Sequence, residues 1–332
     1  MNIILDYDIC FTPEVIRRLV DVGIRAVYVF DYWHRHEPAP GRYDFDEIVR
    51  YAEICRSVGI KMLLQTPIGS PFWMDESFYL YNKSGQNCCF SEYFCSGSQP
   101  DWKLSNDREV CANRIPAYWH KEAEEHTANY IQALRCAIES LGATCIPNIG
   151  AHGEYMFPAN FWFNANRTPS PWWFDEEARR LWKDRDPVKW FREERSRIIA
   201  RRLTYYRESW TQFVPYYDSW DNWQLGNMEI SGELEKHALS LKTILFTVFY
   251  GEDFPVMAEQ QARRIPTWGG AEGCANIVVN TQRAIDMGLK GTLCRLIGPG
   301  TDEPTIPDWK YEVLKTANGL FSEDDGKYFG LD

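Results

Sequence analysis

No apolar run in the sequence approaches the ~20 residues that a membrane-spanning helix needs, so no membrane span is expected. No leader is expected either. Met1 runs straight into Asn2-Ile3-Ile4-Leu5-Asp6, which reads as a strand and not as a basic stretch followed by an apolar one. Basic residues are in short supply: 36 Lys and Arg stand against 47 Asp and Glu, a formal net charge of -11. Phosphate backbones and anionic lipid both need a basic surface, so neither nucleic acid nor a membrane surface is an expected partner. A neutral sugar is indifferent to this charge. No glycine-rich phosphate loop follows the first strand, which counts against a nucleotide-binding sheet. Closely paired cysteines are scarce too. Most of the ten lie far apart, and without an export signal they read as reduced thiols of a cytoplasmic protein. Cys88, Cys89, Cys95 and Cys111 share one stretch, but adjacent Cys88-Cys89 fits a zinc site poorly. No metal and no cofactor is expected.

Aromatic residues are abundant. They make up 15% of the chain and include 14 Trp. Such a surplus suits a large aromatic core. It equally suits a cleft that takes the flat apolar faces of sugars and hydrogen-bonds their hydroxyls at its rim.

A structural rhythm runs along the chain. Thr12-Pro13 reads as a helix N-cap followed by proline at the first helical position, Ile16, Leu19 and Val20 mark one helical face, and Gly23 ends the helix. A strand rich in β-branched and aromatic residues follows over 24–30. The same grammar recurs. Helices over 46–58, 120–141 and 275–287 end at Gly59, Gly142 and Gly288, and strands follow over 60–65, 143–149 and 289–296. Further helices are predicted near 190–210 and 233–250, the latter from Leu234, Ala238, Leu241, Leu245 and Val248 at helical spacing. With strands at 2–6, 213–218, 222–228 and 254–258 the count reaches eight. Strands alternating with helices imply parallel βαβ units. Eight of them in 332 residues predict an α/β chain that forms a single (β/α)8 TIM barrel over 1–332, with a long insertion over 74–119 after the third strand roofing the site; an open doubly wound sheet is the alternative.

In such a barrel, chemistry belongs just after the C-terminal end of each strand. Asp6 and Asp8 follow the first strand, Trp33 and Glu37 the second, Trp73 the third, and His152 and Glu154 the fourth. Asn227 and Glu229 follow the sixth, Glu259 the seventh with Trp268 downstream, and Arg295 the eighth. Glycosidic bond cleavage needs two carboxyl groups flanking the bond. Glu154 and Glu259 are placed to face each other across the barrel mouth and are the predicted catalytic pair. Glu229 ranks behind Glu259 as the partner of Glu154. The remaining strand-end residues are candidates for holding substrate. Each carboxylate among them equally suits a structural ion pair. The dense Arg and Glu of 175–208 read as a solvated helix face laced with i,i+4 pairs.

At these residues the sequence resembles the clan-A glycoside hydrolases, and among them the family 42 β-galactosidases. Trp33 to Phe45 (WHRHEPAPGRYDF) is similar to the family's segment after the second strand. Gly59 to Trp73 (GIKMLLQTPIGSPFW) resembles its third strand and following loop, and Met257 to Trp268 (MAEQQARRIPTW) the segment around its nucleophile. The resemblance implies Glu259 as nucleophile and Glu154 as general acid/base of a retaining mechanism on short oligosaccharides. The clan's asparagine before the acid/base is replaced by Gly153. The stretch from Gly150 to Pro158 (GAHGEYMFP) resembles the inverting β-amylases instead. An inverting glycosidase and a catalytically silent carbohydrate-binding barrel therefore stay open, as does association into a homo-oligomer.

Overall fold

The computed structural model describes residues 3–6, 12–24, 26–85, 114–147, 173–205, 210–212, 244–248, 267–270, 277–289, 291–295 and 306–321. Eight strands fall within them: β1 (Ile3–Asp6), β2 (Ala26–Tyr32), β3 (Lys61–Ile68), β4 (Thr144–Pro147), β5 (Trp210–Gln212), β6 (Ile244–Val248), β7 (Thr267–Gly270) and β8 (Thr292–Arg295). The described helices are α1 (Pro13–Asp21), α2 (Trp33–His36), α3 (Asp46–Val58), α4 (Lys121–Ile138), α5 (Glu176–Trp182), α6 (Pro187–Leu203), α7 (Ile277–Asp286) and α8 (Asp308–Asn318).

Local chemistry sets the helix limits. Thr12 Oγ1 accepts from the Val15 N–H at 3.3 Å and satisfies a donor that α1 leaves open, beside Pro13 in the first turn. Gly59 and Gly142 each take φ of +77°, a left-handed conformation that is cheap only without a Cβ, and so end α3 and the short 3-10 turn after α4. Each reversal feeds the chain straight into the next strand.

All the strand pairs are parallel. They form two runs, β4-β3-β2-β1-β8 and β5-β6-β7. Registers include Leu5 with Val27, Phe30 with Gln65, Leu64 with Cys145, and Phe246 with Trp268. β4 lies against β5 and β7 against β8. The molecule is thus a mixed α/β structure with a parallel sheet. Between Phe30–Gln65 and Tyr32–Ile68 the register slips by one residue on β3. Pro67 sits in that slip, where its missing N–H costs no ladder bond.

The core lies between β2/β3 and the helices. Val27 and Val29 join Met62 and Leu64 against Ile16 and Leu19 of α1, Ile48 and Ala52 of α3, and Ile131, Leu134 and Ile138 of α4. Each fully buried aliphatic side chain there contributes on the order of 1.5–3 kcal/mol. The opposite face of β2 carries Tyr28, Phe30 and Tyr32, as strand alternation requires.

The sequence reading departs from this structure in several places. Residues 244–248 form β6, although the apolar spacing across 233–250 predicts a helix; the cluster Ile244-Leu245-Phe246-Thr247-Val248 is rich in strand-forming residues, and sheet pairing overrides the periodicity. The helix expected over 190–210 ends at Leu203, and residues 210–212 begin β5. Trp268 lies inside β7. Helices α2 and α8 are unforeseen elements, and the helical stretch read over 175–208 is two helices, α5 and α6. The strands expected at 213–218, 222–228 and 254–258 lie outside the described residues. No described helix is long and apolar enough to cross a membrane.

Candidate functional site

The carboxyl-terminal ends of β2 and β3 are built around two buried acids. The first, Asp31, stands in an otherwise apolar strand and has no exposed surface. It faces the helix layer. Its carboxylate accepts from Thr66 Oγ1 on β3 at 2.5 Å and from the Tyr130 hydroxyl on α4 at 2.8 and 2.9 Å. The His36 Nε2 of α2 lies 3.6 Å away. His36 Nδ1 is 3.0 Å from the Asp44 carbonyl, which only accepts, so that nitrogen donates, and Nε2 is turned to Asp31. Burial raises the Asp31 carboxyl above the usual range; His36 and the two hydroxyl donors pull the other way. Three elements, β3, α4 and α2, thus converge on one side chain of β2.

The second acid is Glu37, 2% exposed. It accepts from the indole N–H of Trp33 at 2.5 Å and from the Gly41 N–H at 2.8 Å. Its backbone carbonyl accepts from the Trp73 indole at 2.9 Å. Burial again raises the carboxyl, opposed by these donors and by His126. Trp33 is fully buried, with its ring 5.1 Å from that of Tyr130. Trp33 and Glu37, one turn apart, are thus buried and hydrogen-bonded to each other, and Glu37 holds the loop 37–41 from inside. Trp73 is half-buried and retains an open side.

On the other face of β2 a column of rings runs outward. Tyr28 and Phe30 meet edge-on at 5.6 Å, Phe30 and Tyr32 at 6.4 Å, Tyr32 and His34 at 6.1 Å, and His34 and Phe72 edge-on at 5.4 Å. The Tyr28 hydroxyl donates to Gln65 Oε1 across to β3. Burial, with Arg35 and His36 adding to it, lowers the His34 imidazole to about 4, so it is neutral near pH 7. The turn after β3 sets the end of the column: Met74 N–H donates to the Pro71 carbonyl at 3.2 Å, Pro71 and Met74 are buried, and Phe72 points outward.

The two ends of the segment over 74–119 are fastened together. Leu80 N–H donates to the Ile115 carbonyl at 3.0 Å and Ala117 N–H to the Phe78 carbonyl at 2.6 Å. Tyr81 bridges to Trp173, and Trp119 donates to Asp175, the N-cap of α5. Behind them Arg202 of α6 makes a buried two-pronged contact with Glu124 of α4, joined by Arg201 at 3.3 Å and the Tyr205 hydroxyl at 3.3 Å.

Asp6 and Arg295, the last residues of β1 and β8, are lateral partners in the parallel register, level with Tyr28 on β2. The sequence places both near substrate, and the fold brings their backbones side by side. Asp8, His152, Glu154, Asn227, Glu229 and Glu259 lie outside the described residues, as do Cys88, Cys89, Cys95 and Cys111. Among the described residues no group of three or more His, Cys, Asp or Glu is placed to hold a metal ion. Sequence reasoning missed Asp31, Thr66 and Tyr130. The signal was present: a lone acid inside Val27-Tyr28-Val29-Phe30-Asp31-Tyr32-Trp33 needs buried donors.

Comparison with known proteins bears on the same frame. Residues 11–87 match the family model Glyco_hydro_42, described as Beta-galactosidase. Beta-galactosidase 3 of Oryza sativa subsp. japonica is 36% identical over 56 residues, 16% of this chain and 7% of that protein. Among solved structures, the exo-beta-1,4-mannosidase Op5Man5 from Opitutaceae bacterium strain TAV5 aligns with a TM-score of 0.44 at 11% identity, over 96% of this chain and 59% of that one. The chain thus spans only a small part of the rice protein it matches. Over residues 11–87, which contain β2, α3, β3 and both motifs Trp33–Phe45 and Gly59–Trp73, the chain resembles the family 42 glycoside hydrolases.

Proposed function

We propose that the chain is a glycoside hydrolase whose eight strands close into one (β/α)8 barrel, with Glu154 and Glu259 as the carboxylate pair. The observation that carries this reading is the family match over residues 11–87, which coincides with the strand-end frame of Asp31, Glu37 and Trp73. The parallel order β4-β3-β2-β1-β8 and β5-β6-β7, with β4 beside β5 and β7 beside β8, supports the closed barrel.

In the retaining mechanism the Glu259 carboxylate attacks the anomeric carbon as the glycosidic C–O bond breaks. Glu154 gives its proton to the departing oxygen. Glu154 then takes a proton from water, whose oxygen displaces Glu259 and releases the sugar. Substrate is held by Asp6, Asp8, His152, Asn227, Glu229 and Arg295 through its hydroxyls, and by the rings of Trp73 and Trp268. The substrate class is a short β-linked oligosaccharide, with β-galactosides first. The segment over 74–119 roofs the site.

A second reading rests on Gly153. The stretch Gly150–Pro158 resembles inverting enzymes, in which Glu259 activates a water instead. Proton NMR of the first product anomer separates the two: β from a β-glycoside means retention, α means inversion. Glu154→Ala and Glu259→Ala are each expected to lower kcat/KM by about 10³- to 10⁶-fold. Full turnover by Glu259→Ala removes it from the pair. Lack of turnover by the native protein on a broad panel of β-glycosides overturns the enzymatic reading.

A further inference from the structure

We infer that Phe72 is a stacking platform for a second pyranose ring, the sugar unit next to the one being cleaved. This rests on the glycoside hydrolase reading and goes beyond it by naming a subsite.

Phe72 is 43% exposed, while Pro71 and Met74 beside it are buried. Its exposure is therefore set by a turn, fixed at Met74 N–H to Pro71 O and by the Trp73 indole on the Glu37 carbonyl. The ring is not an isolated surface aromatic. It is the outermost member of the column Tyr28, Phe30, Tyr32, His34 and Phe72, which rises along one face of β2 to the carboxyl-terminal end of the strands. His34, neutral at pH 7, supports it edge-on and adds no charge beneath the platform. In a parallel α/β barrel that end is where the substrate sits.

The exposure decides which sugar unit it takes. A reacting ring has to be enclosed and cut off from water, which a ring 43% exposed cannot do. A flanking unit remains partly in solvent. It needs only one apolar face covered, and the C–H face of a pyranose offers that while its hydroxyls stay hydrated. The ligand class is thus an uncharged β-linked oligosaccharide of at least two hexopyranose units.

The test is saturation-transfer NMR on the native protein, Phe72→Ala and Phe72→Trp. The ligands are galactose, mannose and glucose with their β-1,4-linked di- and trisaccharides. The same spectra report hydrolysis. Native protein is expected to bind the trisaccharide of its preferred sugar tighter than the monosaccharide. Phe72→Ala should lose about five- to tenfold of that affinity and leave the monosaccharide unchanged, and Phe72→Trp should retain it. Equal melting temperatures by circular dichroism exclude a folding defect. Hydrolysis with equal affinities for Phe72→Ala and native protein at every length overturns the platform and leaves the enzymatic reading intact. Neither binding nor hydrolysis of any sugar overturns both.

Discussion

The indole N–H of Trp33 donates to the carboxylate of Glu37 at 2.5 Å, inside the protein, one helical turn along the chain. The pair belongs to the motif Trp33–Phe45, and its work is to brace the loop after β2 for the residues that do meet solvent. Glu37→Ala strands both the Trp33 and Gly41 N–H groups and is expected to cost about 2–4 kcal/mol; Glu37→Gln, which keeps an acceptor oxygen for one of the two donors and turns its NH2 to the other, should cost less. Urea denaturation of the two variants measures this. A Glu37→Ala protein of native stability with only a raised KM would show that the side chain serves substrate instead.

Asp31 makes a second prediction. Tyr130→Phe and Thr66→Val each remove a hydroxyl from a fully buried carboxylate, and each should destabilise by about 1–3 kcal/mol. Because both donors serve one acid, their effects should not add. A double-mutant cycle with a coupling of about 0.5 kcal/mol or more is the expected result. Strict additivity would mean that the two hydroxyls act separately.

The Asp175 carboxyl is raised from 3.8 to about 6, chiefly by burial, with the donors Ala178 N–H and Trp119 Nε1–H opposing. The sign follows directly. The folded state holds the proton more tightly than the unfolded one, so this group favours folding most below pH 3.8. That contribution fades as pH rises through about 6. Both donors reach Oδ1, an atom that asparagine keeps. Asp175→Asn should therefore remove this decline and be neutral or stabilising at pH 7. Asp175→Ala should lose about 1 kcal/mol of capping. Thermal melts at pH 4.5 and pH 7 separate the three proteins.

Arg202 and Glu124 form a buried pair between α6 and α4. Removing Arg202 leaves buried Glu124 with only Arg201 and the Tyr205 hydroxyl, so Arg202→Ala is expected to cost about 3 kcal/mol. Replacing both by Met and Leu should recover most of it. Chemical denaturation of the single and double variants decides.

Much of the frame is legible in the sequence because short-range rules set it. Thr12-Pro13 starts α1, and Gly59 and Gly142 end helical segments where the pattern says they do. The runs Ala26–Tyr32 and Lys61–Ile68 announce buried strands by composition alone. What escaped is decided at long range. Ile244–Val248 carries apolar residues at helical spacing, yet pairing with β5 and β7 makes it a strand. Trp33 and Glu37 stand at a strand end, where an open site is expected, but the one-turn helix α2 folds them inward onto each other. Their spacing of four was the clue. Asp31 became readable as a hub only once Thr66 and Tyr130, 35 and 99 residues away, were placed beside it.

The paired ends of the segment over 74–119 have an evolutionary corollary. Because Phe78 and Leu80 are hydrogen-bonded directly to Ala117 and Ile115, the chain leaves the sheet and returns to it through one narrow doorway. Whatever passes between those two points closes a loop whose entropic cost grows only with the logarithm of its length. Selection is thus free to lengthen, shorten or replace that passage as a cassette without disturbing β3 or α4.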